Sequence, residues 1–371
     1  MKFQIDKDIL LKSLSKIQGV VEKRNTIPIL SNILLDVRGN ILTITATDLE
    51  IAVRLQLPIN YGLDGKLTVN AKIIYEIVRE LPDGELSINT KDNSWIEIKS
   101  GRANFNIVGL SSDEFPYFLD TSELNFEKIE SSKLKSLIDQ TFFSISNDET
   151  KYNLNGIFSK LFSDKGIEFL RFVATDGHRL SLSQFETNFK ADFIGVKGVI
   201  FPKKGILELK KLCDDTEFVE ISIHDNNSII KSDNFILVMR LIDGDFPDYQ
   251  RVIPSNLENS FKINVGDFYK ALKRISVLSS EGTKGIKFDL SQGSLEISSS
   301  NPEFGEAKER LDINYEGNEF SIGFNAKFII DVLNNIESDS IDFIVKDQLS
   351  PAVIKSENSD NYLAVIMPMR L

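Results

Sequence analysis

The sequence predicts an α+β fold written three times, each copy carrying two amphipathic helices packed on antiparallel sheets. Three observations predict it. The first is a short helix that runs into a strand, over residues 324–336 and then 340–345. Its apolar residues fall at Ile329, Val332, Leu333 and Ile336, the i, i+3, i+4, i+7 stripe of one helix face. Lys327, Asp331 and Asn334 lie away from that stripe. The second observation is that the same pattern occurs twice earlier. Val69-Asn70-Ala71-Lys72 opens a helix holding Ile74, Ile77, Val78 and Leu81, followed by a strand at 85–88. Phe201-Pro202-Lys203-Lys204 opens another, followed by a strand at 218–223. Asn70, Pro202 and Asn325 are 132 and 123 residues apart, a period that is a whole domain rather than a solenoid unit. The third is a further helix at the head of each copy.

That opening helix starts near Asp6 in the first copy, with Leu10, Leu14, Ile17 and Val21 on one stripe. In the second it follows Ile129-Glu130 and carries Leu134, Leu137 and Ile138. In the third it follows Ile263-Asn264 and carries Phe268, Leu272, Ile275 and Leu278. An Asp, Ser or Gly near each start can cap the helix N-terminus. Between the two helices comes a hairpin of period-2 alternation. The first copy turns at Gly39-Asn40 and the third at Gln292-Gly293; the second uses a longer turn between Phe158 and Phe169. Each second strand ends in a small polar residue and then Asp48, Asp176 or Asn301. Each copy therefore reads β-α-β-β-β and then α-β-β-β, close to a doubled unit. Loop-like junctions around Phe115-Pro116-Tyr117 and Ile253-Pro254 set three domains at 1–125, 126–254 and 255–371.

Composition suits a soluble globular protein: 42% of 371 residues are hydrophobic and 26% charged. No run approaches the roughly 18 apolar residues of a membrane span. The start lacks a signal peptide's apolar core. One cysteine, Cys213, allows neither an internal disulfide nor a cysteine metal site. A reducing cytoplasm is expected.

The net charge of −12 argues at first against nucleic acid. Its distribution is uneven. Segments 5–24, 70–80, 130–139, 202–212, 266–284 and 325–337 hold 18 Lys and Arg against 12 Asp and Glu. The helices thus carry +6 and the remainder of the chain −18. Lys12, Lys16 and Lys23 oppose the apolar stripe of the first helix; Lys270, Lys273 and Arg274 oppose that of the fifth. Charged residues on an amphipathic helix can simply solvate its outer face. Alternatively, six helices share one basic surface toward a phosphate backbone, making contacts that are salt-dependent and blind to sequence.

Motifs for catalysis are few. The chain lacks both Gly-x-x-x-x-Gly-Lys-Ser/Thr and Gly-x-Gly-x-x-Gly. Its two histidines, His178 and His224, have no partner at metal-ligand spacing. Asp176 and His178, in Ala174-Thr175-Asp176-Gly177-His178-Arg179-Leu180, could form a general-base pair. Asp176 nonetheless occupies the position that Asp48 and Asn301 hold without a histidine, which favours a turn residue. The C-terminal Met367-Pro368-Met369-Arg370-Leu371 follows an apolar strand. It reads equally as a domain-closing strand with a tail or as part of a soft, apolar groove for partner peptides.

Five motifs, in order and over essentially the full length, resemble the bacterial DNA polymerase III beta subunit, the sliding-clamp family. They are Pro28-Ile29-Leu30-Ser31-Asn32 with Thr47-Asp48-Leu49-Glu50, Tyr152-Asn153-Leu154-Asn155-Gly156, the 174–180 motif, Phe246-Pro247-Asp248-Tyr249, and 367–371. The resemblance implies the DNA-clamp fold in a head-to-tail homodimer, six domains closing a ring around double-stranded DNA without sequence specificity. It implies no catalytic site, cofactor, metal or membrane. The expected partners are the replicative polymerase alpha subunit, the clamp-loader delta subunit, and other polymerases and repair proteins.

Carried over residue by residue, the partner-peptide groove comprises Leu154, Thr175, Gly177, His178, Arg179, Leu180, Pro247, Arg251, Val252, Asn325, Leu349, Val365, Met367, Pro368, Met369 and Arg370. It would seat a short motif with Gln and Leu/Phe anchors. The chain departs from the family pattern at Thr283, Phe328 and Pro351. DNA contacts are implied for Arg24, Lys72, Lys151, Tyr152, Lys203 and Lys204, with Asp148 where a neutral residue is commoner. The dimer seam would pair Phe105 and Ile107 with Val277 and Leu278, four residues apolar enough to be ordinary core. Two other readings compete: a monomeric peptide scaffold, which needs no basic bias on its helices, and a hydrolase built on Asp176 and His178.

Overall fold

The computed structural model describes residues 1–21, 27–189, 193–195, 197–254, 259–279, 284–357 and 359–370. Arg24, Lys23 and Thr283 lie outside the described residues.

The first copy runs β1 (Lys2–Asp6), α1 (Lys7–Ile17), β2 (Asn32–Arg38), β3 (Ile41–Thr47), β4 (Ile51–Pro58), β5 (Tyr61–Leu63), β6 (Gly65–Asn70), α2 (Ala71–Glu80), β7 (Glu85–Thr90), β8 (Trp95–Ser100) and β9 (Ala103–Leu110). The second runs β10 (Glu127–Glu130), α3 (Ser131–Phe142), β11 (Gly156–Asp164), β12 (Ile167–Thr175), β13 (Arg179–Glu186), β14 (Val199–Pro202), α4 (Lys203–Asp215), β15 (Phe218–His224), β16 (Asn227–Ser232) and β17 (Phe235–Arg240). The third runs β18 (Ser260–Asn264), α5 (Val265–Ser276), β19 (Gly285–Ser291), β20 (Ser294–Asn301), β21 (Gly305–Asp312), β22 (Phe320–Asn325), α6 (Ala326–Asn335), β23 (Ser340–Ile344), β24 (Ala352–Ser356) and β25 (Ser359–Ile366).

Each copy is thus β-α-β-β-β twice over, apart from the short extra β5. The doubling is complete because β6, β14 and β22 run directly into α2, α4 and α6. The residues expected to open these helices are instead the ends of strands. In two of them the last residue serves both elements: Asn70 closes β6 and accepts the Ile73 N–H at 3.1 Å, and Asn325 closes β22 and accepts the Lys327 N–H at 2.9 Å. Two other expectations change. α1 stops at Ile17, short of Val21, where a turn brings the Val20 N–H to the Ile17 carbonyl at 3.0 Å. Gly19 lies there against Glu208, so closely that a side chain at 19 would collide with it. The β11–β12 turn is as short as the others, because β11 runs to Asp164 and pairs it with Ile167.

Contacts group the chain into two compact units, residues 1–132 with 204–241, and residues 133–203 with 242–371. The middle repeat is divided between them. In the first unit, thirteen strands form one sheet in the order β10-β15-β16-β17-β4-β3-β2-β6-β9-β8-β7-β1-β5. β17 joins β4 antiparallel, with Val238 opposite Ala52. In the second unit, an eight-stranded sheet runs β14-β11-β12-β13-β25-β24-β23-β18, and a four-stranded one runs β21-β20-β19-β22. β13 joins β25 there, with Leu180 opposite Val365.

Helices α5 and α6 bury Phe268, Leu272, Ile275, Ile329, Val332 and Leu333 against these sheets. Phe343 lies at the centre of that core, with Phe261, Phe268, Phe288 and Phe324 all within 6.0 Å between ring centroids. Phe261 stacks on it while the other three rings meet it tilted or edge-on, so a lost ring leaves a cavity walled by four others. Phe343→Ala is expected to destabilise the protein by about 3–5 kcal/mol. Urea denaturation of the variant against the parent measures this; a loss under ~1 kcal/mol contradicts the packing argument.

Candidate functional site

The site is built on the turn between β12 and β13. Thr175 Oγ1 donates to the Arg179 carbonyl at 2.6 Å and accepts the Gly177 N–H at 3.1 Å. Asp176 Oδ1 accepts the N–H groups of His178 and Arg179 at 2.9 and 3.0 Å. Its Oδ2 accepts Arg179 Nε at 3.1 Å. Gly177 carries a φ of 91°, a left-handed value at which a side chain is strained. The Asp176 carboxylate is therefore occupied on both oxygens by the turn itself. It offers the imidazole of His178 nothing, so the general-base pairing lacks its geometry.

Arg179 is held on every side. Its side chain is 9% exposed; Nη1 reaches Asp331 Oδ2 at 2.7 Å, and Nη2 donates to the Phe143 carbonyl. The guanidinium also lies 4.5 Å from the Phe328 ring centroid. Stacking of this kind needs a ring face and not a hydroxyl, so Phe328 supplies the support.

Beside this turn lies a cavity of about 180 Å³. Nine of the anticipated groove residues line it: Leu154, Thr175, Gly177, Arg179, Leu180, Pro247, Val252, Val365 and Met367. Asp248 and Tyr249 complete the lining, and sequence reading missed them although they follow Pro247 in a motif it had singled out. A second cavity of about 390 Å³ shares Val252 and Met367 and adds Arg251, Pro254, Lys346, Ser350 and Pro351. The remaining anticipated residues lie outside both linings. Asn325 caps α6, and Leu349 stands 79% exposed. His178 accepts the Met367 N–H through its carbonyl at 2.9 Å, which fixes the C-terminal segment. Met369 donates its N–H to Gly323 at 2.8 Å; Pro368 precedes it, and Arg370 beyond is exposed.

The anticipated DNA-facing cations differ in how free they are. The Lys72 ammonium lies 3.8 Å from Glu76 and that of Lys151 4.0 Å from Asp148, both exposed pairs of little strength. Asp148 is itself held below the usual carboxylate range, first by the Thr150 hydroxyl and then by its N–H. Tyr152 is exposed, and Lys203 donates to Asn147. Lys204 pairs with the nearly buried Asp48 and also reaches the Val20 carbonyl at 3.2 Å. Its charge is spent inside the fold. The six helices as folded hold 15 basic and 9 acidic residues, again +6.

None of Phe105, Ile107, Val277 and Leu278 is core. Phe105 and Val277 are exposed, Val277 at 77%, and the other two are half-buried. Phe105 and Ile107 sit on β9, which pairs with β8 on one side and meets β6 only at Gly109 and Leu110. Among the described residues most of β9 therefore presents an unpaired edge. β21, the outer strand of the four-stranded sheet, presents another. Exposed edges with apolar side chains are sites of further strand pairing.

Family models for the N-terminal, central and C-terminal domains of the DNA polymerase III beta subunit match residues 1–120, 128–248 and 250–370. The beta sliding clamp of Caulobacter vibrioides is 36% identical over 374 residues, and that of Vibrio cholerae 35% over 373, each alignment covering 100% of both chains. A crystal structure of the Caulobacter crescentus beta sliding clamp with polyethylene glycol bound superposes at a TM-score of 0.95 and 36% identity, covering 100% of this chain and 99% of that one. The Bartonella birtlesii sliding clamp bound to griselimycin gives the same TM-score and identity over 100% of both chains.

Next to the β9 edge, Glu97 is clasped by Lys91 at 2.8 Å and Lys99 at 3.0 Å. Those two hydrogen bonds, Lys91's the larger, lower its pKa to about 2. A carboxylate lowered on folding adds stability that is complete above its ordinary value near 4.5 and is lost as pH falls toward 2. Glu97→Gln should remove that part of the acid dependence. Denaturation midpoints of parent and variant are expected to differ at pH 6 and to converge between pH 4.5 and 2; a constant difference contradicts the assignment.

Proposed function

Because the chain belongs to the DNA polymerase III beta subunit family, the bacterial sliding clamps, we infer that it is the processivity clamp of the replicative DNA polymerase. The observation that carries this is the match of all three domain models, in order, along the whole chain. Two copies join head to tail, β9 of one against β21 of the other, with Phe105 and Ile107 meeting Val277 and Leu278. A heterologous contact of this kind closes into a ring. The exposure of those apolar residues supports this arrangement over a monomeric scaffold.

Duplex DNA passes through the ring, facing the helices. Their net +6, with Lys72 and Lys203 in it, draws phosphates weakly and without sequence preference; Lys151 and Tyr152, outside the helices, and Arg24 complete the group. Lys204 holds Asp48 and through it the fold. Weak contacts leave the ring free to slide, while closure prevents escape. The chain makes and breaks no bond; loading and polymerisation belong to its partners.

The cavity between Leu180, Val365 and Met367 takes the apolar anchor of a partner's linear motif. The adjoining cavity at Arg251, Lys346 and Pro351 takes the rest of it, including a Gln side chain. The polymerase alpha subunit, the loader delta subunit and repair polymerases would share this groove in turn. Tethering raises the polymerase's effective concentration at the primer end, which is the whole of its catalytic benefit.

Encirclement is tested by loading the protein onto a nicked circular plasmid with its loader and ATP, then linearising half of the sample. Protein is expected to stay on circles and to run off linear DNA. Equal retention on both means surface binding and overturns the ring. Groove occupancy is tested by titrating a short peptide with Gln and Leu/Phe anchors. Met367→Ala, which removes a wall common to both cavities, should weaken binding about tenfold, or ~1.4 kcal/mol; fewer rings should be loaded, because the loader uses the same groove, but those loaded should still stay on circles and run off linear DNA. Unchanged peptide affinity places the motif elsewhere.

A further inference from the structure

The first unit builds the turn of the groove a second time. Thr47 Oγ1 donates to the Ile51 carbonyl at 2.9 Å and accepts the Leu49 N–H at 3.0 Å. Asp48 Oδ1 accepts the N–H groups of Glu50 and Ile51 at 2.9 and 2.7 Å, and its Oδ2 takes a cation, here Lys204. These are the hydrogen bonds of residues 175–179, one for one. The adjoining wall keeps register as well. Ala52 stands opposite Val238 as Leu180 stands opposite Val365. The Arg240 N–H donates to the Glu50 carbonyl at 2.8 Å, as the Met367 N–H does to His178. Pro116 and Phe118 face this wall in the places of Pro247 and Tyr249. Together they enclose a cavity of about 420 Å³.

Its side chains differ from those of the first groove, and the differences select an occupant. Ala52 in place of Leu180 leaves depth for a larger anchor. Phe118 and Val238 provide apolar walls. Arg240, exposed at the mouth, replaces the Met367 thioether with a guanidinium that can lie on a ring face. Glu50 and Asp225 add carboxylates at the rim, which accept from an N–H or O–H and repel phosphate. Leu49 takes the place of Gly177 with a φ of 78° and is 56% exposed. The turn's hydrogen bonds hold a leucine in a strained conformation there, with its side chain unpacked.

We propose that this cavity is a second docking site for a linear peptide, one with a Trp or Tyr anchor. The ring stacks over Ala52 between Phe118 and Val238, its polar edge reaches Glu50 or Asp225, and Arg240 covers its face. That the occupant is a peptide rests on the peptide reading of the equivalent groove; the aromatic anchor rests on this cavity alone.

Methyl NMR on the full chain, labelled at Ala, Leu and Val, reads the two cavities separately. The probe is the blocked peptide Gly-Ser-Trp-Ser-Gly, compared with versions carrying Leu or Ala in place of Trp. The Trp peptide should shift the methyls of Ala52, Leu49 and Val238 and bind about tenfold more tightly than the Leu version. Ala52→Leu, which restores the side chain of the other groove, should abolish those shifts. Arg240→Gln, an exposed change that leaves the backbone pairing intact, should weaken them several-fold. In both variants the Gln and Leu/Phe peptide should still shift Leu180 and Val365. The proposal is overturned if no Trp-dependent shift reaches Ala52, if Leu and Trp peptides act alike, or if Ala52→Leu changes nothing. Oligothymidylate shifting Ala52 in place of the Trp peptide also overturns it, in favour of nucleic acid. If the Gln and Leu/Phe peptide fails at Leu180 while the Trp peptide binds at Ala52, the first groove's assignment falls and this one stands.

Discussion

A single carboxylate at the end of a strand organises the functional surfaces. Asp48 and Asp176 each spend one oxygen on two backbone N–H groups and the other on a cation, Lys204 or Arg179. An ionised carboxylate in partial burial is costly unless every lone pair is used, and here the turn uses them. In return the turn sets where the next strand begins and which side chains face outward. Removing the carboxylate would leave two turn amides without their acceptor and take one partner from the cation, so the shape of the cavity beside the turn depends on it. The same engagement explains why an Asp two residues from a His has no general-base geometry.

The charge pattern shows a comparable division of labour. The chain is acidic as a whole, yet its helices are basic by the same +6 whether counted over the sequence segments or the folded elements. Within that basic set the cations are not equivalent. Lys204 neutralises a nearly buried Asp48, whereas the ion-pair partner of Lys72, and that of Lys151 outside the helices, are exposed and distant. A buried pair is lost at high cost and an exposed one at almost none, so only the second kind is free to exchange its partner for a phosphate.

Much of the architecture was legible because periodicity and capping are local. The stripes of α2 and α6 follow from side-chain spacing, and Asn70 and Asn325 cap where a short polar side chain precedes an apolar run. Less legible were β6, β14 and β22, since a strand that runs straight into a helix shows no turn signal between them. The end of α1 was misplaced for a different reason. The apolar stripe continues to Val21, but Gly19 must admit Glu208 from far along the chain, and no local pattern records that approach.

The amino-acid sequence by itself determined the threefold repeat, the basic bias of the helices, and the turn residues of 47–51 and 175–179. Each of these depends on neighbours a few positions apart. Tertiary structure alone decided that β17 pairs with β4 and β13 with β25, so that the middle repeat is shared between two compact units. It also decided that Asp248 and Tyr249 belong to the cavity while Asn325 serves a cap, and that Phe105 and Val277 are surface rather than core. The reason is physical: an apolar side chain reads the same in a sequence whether it is buried, lines a cleft or waits on an open strand edge. Only the strands that pair across it, or leave it unpaired, make the difference.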